Sequence, residues 1–224
     1  MTFDLWPYTA RLVERMADSS LTDEDVSIVR SPRSPGIHSS TLLRILHPVD
    51  SGITPEELKI YGLLGLAFED RAERALISLA KEPDWPFDAV RSPEVFYDGV
   101  YCSPDILLFG KEDGVVQELS LKTTWKGIRD APEGEKFAYY RDQSLTYGTP
   151  LDTTRGVLLC YFVNGEYKKY KRGEPQKPPV PIVQGWQLEW SLQERGEMWQ
   201  AVRNLKYEYE GRQRCFDGLK RRRA

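Results

Sequence analysis

The 224-residue sequence predicts an α/β protein: a mixed central β-sheet flanked by helices, with a helical N-terminal segment and a C-terminal helix. Three observations predict it. Strand-like runs gather between Glu94 and Thr124, punctuated by the turn signals Asp98-Gly99 and Asp113-Gly114. Segments with helical apolar spacing lie on both sides of that cluster. The apolar run Val157–Val163 follows the second of them and reads as a buried strand. A hydrophobic content of 40% is enough for a real core. The length suits one main domain, placed over residues 51–224, preceded by a helical arm and loop over 1–50.

Each element has a local reason. Leu5 to Met16 has helical spacing, with Leu12 and Met16 four apart on one face. Asp18 to Gly36 is polar and ends in the loop Ser31-Pro32-Arg33-Ser34-Pro35-Gly36. Ser39 or Ser40 caps a short helix running to Leu46, which Pro48 stops. Thr54-Pro55-Glu56-Glu57 is a capping box with proline at the first helical position. It opens a helical region through Glu82, with a break expected near Gly62 or Gly65. Phe68, Ala72, Leu76 and Leu79 make its apolar stripe, and Glu69 and Glu73 stand beside that stripe.

Asp84 to Pro93 reads as loop. Glu94–Tyr97, Tyr101–Phe109 and Val115–Thr124 read as strands, and Glu135–Tyr147 as a helix. The turn Asn164-Gly165 follows the buried strand. Lys168 to Pro181 is rich in proline and lysine and is expected to be irregular. Trp186–Trp190 reads as a short strand. Ser191–Glu210 is an amphipathic helix with Trp199, Val202 and Leu205 inward.

Composition narrows the chemistry. The formal net charge is −3, so nothing global marks a nucleic-acid binder; a binder would need a local basic groove. Lys168, Lys169, Lys171 and Arg172 are one basic cluster and Lys220-Arg221-Arg222-Arg223 another. Cys102, Cys160 and Cys215 form no Cys-x-x-Cys pair, which argues against zinc and against a disulfide framework. His38 and His47 have no metal-ligand spacing and read as incidental. No signal peptide or membrane-spanning apolar run is recognisable, so a reducing, cytoplasmic setting is expected.

The chemistry concentrates in one stretch: Ser103-Pro104-Asp105 and the strand after it, then the turn, then Gln117-Glu118-Leu119-Ser120-Leu121-Lys122. Side chains alternate along a strand, so Glu118, Ser120 and Lys122 share one face while Gln117, Leu119 and Leu121 take the other. Asp105 lies on the neighbouring strand. Two carboxylates and a lysine on one surface are the minimal set for holding a hard cation and steering a water at a phosphate.

This stretch resembles the PD-(D/E)XK nuclease superfamily, with Pro104-Asp105 as its "PD" and Lys122 as its lysine. Gly65-Leu66-Ala67-Phe68-Glu69 is similar to the upstream acid-bearing helix of the RecB-like and phage (lambda-type) exonuclease branch. Gln143-Ser144-Leu145-Thr146-Tyr147 is similar to that branch's Gln-x-x-x-Tyr helix. The four motifs stand in family order between Gly65 and Tyr147. One position departs: the acid two residues before the lysine is replaced by Ser120, and Glu118 stands two residues earlier, about 6–7 Å further along the strand.

The resemblance implies a restriction-endonuclease-like core and a Mg2+- or Mn2+-dependent DNA nuclease, an exonuclease of the phage recombination or DNA-processing kind. Asp105 and Glu118, the Leu121 carbonyl and Glu69 are its implied metal ligands. Glu69, Asp105, Glu118 and Lys122 are the implied catalytic set, with Lys122 holding the attacking water. Ser120, Gln143, Tyr147, Lys168 and Lys169 fall to substrate binding, and Ser120→Ala is expected to do little. An iron–sulfur cluster, which some relatives hold with four cysteines, is not expected from three. The implied partners are DNA and a recombinase, annealing protein or helicase, with self-association open and no membrane. A viral origin would make the compartment the host cytoplasm. The alternative reading is a nuclease-fold protein that has weakened or lost cleavage and serves in DNA binding or assembly.

Overall fold

The computed structural model describes residues 1–21, 33–48, 55–125, 127–128, 131–165 and 180–221, without the side chains of 55–61, 136 and 215–221. Eight strands and five α-helices occur among them: β1 Thr2–Leu5, α1 Thr9–Ala17, α2 Ser39–Leu46, α3 Pro55–Ala80, β2 Phe87–Arg91, β3 Val95–Tyr97, β4 Val100–Cys102, β5 Ile106–Gly110, β6 Val116–Thr124, α4 Ala138–Gly148, β7 Arg155–Phe162, β8 Ile182–Glu189 and α5 Leu192–Arg221. Six strands form one sheet in the order β1-β8-β7-β6-β5-β2. The β6–β7 pair is parallel and the others are antiparallel. The fold class is therefore the expected mixed sheet flanked by helices.

The alternation read from β6 places the two layers. Leu119 and Leu121 join Phe68, Ala72 and Leu76 of α3, with Leu12 of α1, in one core cluster. Leu158, Cys160 and Phe162 of β7 face the other way, against Phe137 and Leu145 beside and within α4. Glu118, Ser120 and Lys122 therefore project toward α4 rather than α3. A third cluster seats α4 against α2 and α5 through Tyr147, Leu42, Trp199 and Val202.

Gly156 on β7 lies opposite Glu118 in the parallel register. A Cβ there would stand 2.9 Å from the Trp190 ring and 3.2 Å from the Glu118 carbonyl oxygen. The missing side chain lets Trp190 close over the strand beside the site.

Several expectations are corrected. The N-terminal segment does not enter a helix at Leu5. Thr2–Leu5 pairs with β8 as an edge strand, Trp6 is buried, and the helix begins at Thr9. Helix α3 runs unbroken through Gly62 and Gly65, because a helical glycine costs only about 1 kcal/mol and 26 residues of helix absorb it. Part of the expected Asp84–Pro93 loop is strand β2, whose Phe87 and Ala89 face the core and whose Asp88 is exposed. The expected strand Tyr101–Phe109 is two strands divided at Ser103-Pro104-Asp105. Its first part pairs with β3 in a separate two-stranded ribbon. Pro104 has no N–H for a ladder and restricts the residue before it, which explains the division. The last strand is longer than Trp186–Trp190 and begins at Ile182.

Candidate active site

Asp105 immediately precedes β5. The β5–β6 register pairs Ile106 with Leu119, so one further step sets Asp105 opposite Ser120. Three features fix its carboxylate and backbone. The Leu121 N–H donates to Asp105 Oδ2 at 2.8 Å. Lys122 Nζ donates to the same oxygen at 3.2 Å. The Ser92 N–H, just past β2, donates to the Asp105 carbonyl at 3.4 Å. Among the implied ligands, Leu121 thus meets Asp105 through its amide N–H.

Glu118 is fully buried beneath α4. Its Oε1 accepts a hydrogen bond from the Ser120 hydroxyl at 2.6 Å. Its Oε2 is buried and has no hydrogen-bond partner. Burial pushes the Glu118 carboxyl up to about 7, and the nearby Asp105 charge adds to the rise. The Ser120 hydrogen bond, the Lys122 charge and, least, the Ser144 hydroxyl oppose it. For Lys122, burial works to lower the pKa. The carboxylates of Asp105 and Glu118 outweigh it and hold the ammonium above the ordinary lysine range. The mutual influence of these three groups places them in one electrostatic cluster, with the lysine charged.

Helix α4 brings the next residues to the same side. Ser144, Gln143 and Tyr147 are all buried. The Ser144 hydroxyl donates to Ser120 Oγ at 3.2 Å, and Gln143 Nε2 donates to the Tyr147 hydroxyl oxygen at 2.9 Å. Gln143 and Tyr147 are therefore i, i+4 partners of each other. Burial raises the Tyr147 phenol well above its ordinary value, and the charges of Asp105 and Glu118 raise it further. Its ring packs in the third core cluster.

Two effects of Tyr147 are separable by size. Tyr147→Ala is expected to lower stability by about 3–5 kcal/mol, as for other buried aromatic truncations. Tyr147→Phe is expected to cost about 1 kcal/mol, the typical net worth of one hydrogen bond. Urea denaturation of both variants checks this, and only the Phe variant then reports on a role of the hydroxyl in chemistry.

The remaining sequence-predicted residues stand as follows. Glu69 is half-buried on α3. Among the described residues no group of three His, Cys, Asp or Glu side chains gathers as a cation site. Glu73, one turn further along α3, has a buried carboxylate paired with Arg91 of β2. That pair ties α3 to the strand alongside Asp105. Lys168, Lys169, Lys171 and Arg172 lie outside the described residues.

His47 is not isolated. Its Nε2 lies 2.7 Å from the carboxylate of Asp142, the residue before Gln143. Ser144 was missed because a serine inside a helix carries no signal of its own. Only its position between two motif residues could have drawn attention.

No family model matches the chain, and no curated protein matches it. Among solved structures, the chain is similar to the crystal structure of SSO0001. The two share 14% identity over 88% of this chain and 83% of that one, with a TM-score of 0.44. No helix among the described residues is long and apolar enough to cross a membrane.

Proposed function

We propose that the protein is a metal-dependent deoxyribonuclease that hydrolyses phosphodiester bonds, an exonuclease of the recombination or DNA-processing kind. One observation carries this reading. Asp105, Glu118 and Lys122 share an electrostatic cluster in which Glu118 Oε2 is buried and unpartnered. A buried carboxylate oxygen without a donor is costly, and a cation relieves that cost.

The donor set suits a hard divalent ion such as Mg2+ or Mn2+: two carboxylates with hydroxyl oxygens nearby, and neither thiolate nor imidazole. Asp105 and Glu118 would hold it. When bound, such an ion polarises a phosphate oxygen and makes a water nucleophilic at neutral pH.

The remaining roles fall to the chain's own groups. Lys122 keeps its proton because two carboxylates face it, so its ammonium offsets negative charge developing on the phosphate oxygens. The Leu121 N–H orients Asp105. Gln143 and Tyr147, which the resemblance assigns to the DNA strand, are buried and paired with each other, so they would act on it indirectly, by holding the α4 side of the site. DNA is then the macromolecular partner, with a recombinase, annealing protein or helicase alongside, in the cytoplasm of a cell or of a viral host.

A second reading is favoured by a specific observation. The position opposite Asp105 is Ser120, and its hydroxyl is committed to Glu118. On this reading the fold binds DNA or assembles with a partner without cutting. Incubating the full chain with linear and circular DNA in Mg2+, Mn2+ or EDTA separates the two. Cleavage of linear DNA in metal alone supports the exonuclease, and cleavage of circles moves the assignment to an endonuclease. DNA binding without cleavage in either metal selects the second reading.

A further inference from the structure

We propose that Ser144 is a positioning residue for Glu118, acting through Ser120; this rests on the nuclease reading above. The Ser144 hydroxyl donates to Ser120 Oγ at 3.2 Å, and the Ser120 hydroxyl donates to Glu118 Oε1 at 2.6 Å. All three side chains are fully buried, so water does not compete for these bonds. A hydroxyl has one proton to give, so the chain has a direction. It begins on α4 and ends on Oε1; the Ser144 hydroxyl also stands close enough to act on the Glu118 carboxyl directly, and Oε2 has no hydrogen-bond donor.

The arrangement answers the displaced acid. A carboxylate at position 120 would stand opposite Asp105 by its place on the strand alone. One at position 118 is about 6–7 Å further along and must be steered. Ser120 steers it, but a serine has three staggered rotamers and its bond to Glu118 lies within one strand. Ser144 removes that freedom by tying the Ser120 hydroxyl to the opposing helix. Ser120 is then a positioning residue, rather than a group that touches DNA.

The test is a Mn2+ titration by calorimetry on the full chain without DNA, beside DNA cleavage kinetics. Wild type, Ser120→Ala, Ser144→Ala and the double variant are compared. Each single variant is expected to bind Mn2+ about tenfold more weakly or worse, the usual loss when a ligand's supporting hydrogen bond is removed; for Ser120→Ala this replaces the small effect expected from the sequence, because its hydroxyl holds Glu118. The double variant is expected to be no weaker than the worse single, because the hydroxyls act as one chain. In cleavage, kcat falls while KM for DNA stays.

Wild-type Mn2+ affinity in both single variants overturns the inference and leaves the nuclease reading standing. Losses that add in the double variant also overturn it. A wild-type protein that neither binds Mn2+ nor cuts DNA removes both together. Should Ser144→Ala fail to fold, Ser144→Cys keeps the size with a weaker donor. Wild-type Mn2+ affinity in that folded variant overturns the inference as well, and a weakened one supports it.

Discussion

Asp105→Asn and Lys122→Ala are each expected to remove metal-dependent DNA cleavage while the fold survives. The two side chains meet at 3.2 Å, and Asp105 is held again by the Leu121 N–H. An asparagine keeps the size of Asp105 but takes away the charge that attracts both a cation and Lys122. Removing Lys122 takes away the positive charge facing both carboxylates. For a group that stabilises transition-state charge, the loss is on the order of 10²–10³-fold in kcat. Circular dichroism and thermal melts establish that the variants are folded, and a gel assay on linear DNA with Mg2+ measures turnover. Wild-type rates in either folded variant would remove this cluster from the chemistry.

Glu118→Gln is expected to make the protein more stable at pH 8 while abolishing tight metal binding. The folded state holds the Glu118 proton up to about pH 7, against an ordinary value of 4.5. The folded form therefore binds this proton more tightly than the unfolded chain does. Stability from this group is fully present below 4.5 and is lost as pH rises through about 7. Above that pH a desolvated charge remains, at a cost of roughly 3 kcal/mol at about 1.4 kcal/mol per pKa unit. Glutamine is neutral at every pH and keeps a carbonyl oxygen for the Ser120 hydroxyl. The gain in melting temperature should be several degrees at pH 8 and vanish by pH 5. Melting curves of the two proteins across that range, without divalent metal, check the sign. A variant less stable than wild type at pH 8 would mean that the ionised carboxylate is well compensated in the fold. Such opposition between stability and a demanding site is the familiar trade-off at functional positions.

The facing of Glu118, Ser120 and Lys122 followed from strand alternation, because Leu119 and Leu121 between them needed a core. The α4 segment was visible because its motif residues fall four apart. The β2 strand was not, because Pro86, Asp88 and the flanking Pro93 look like loop, and its pairing with β5 lies many residues downstream. Strand β1 was hidden in the same way: four residues at an edge gain their identity only from β8, far along the chain. The continuity of α3 was misjudged because a glycine's local cost is small beside the packing of a long helix.

The sequence by itself determined the fold class, and the common face of the strand on which Glu118, Ser120 and Lys122 stand. These follow from hydrophobic periodicity, which is local and survives any arrangement of neighbours. Only the tertiary structure decided what surrounds that face. It set Asp105 opposite Ser120 and against the Leu121 N–H, and it covered Glu118 with α4. It turned Gln143 and Tyr147 toward each other. Hydrogen-bond partners and desolvation depend on which distant segments close over a residue, and no local pattern encodes that.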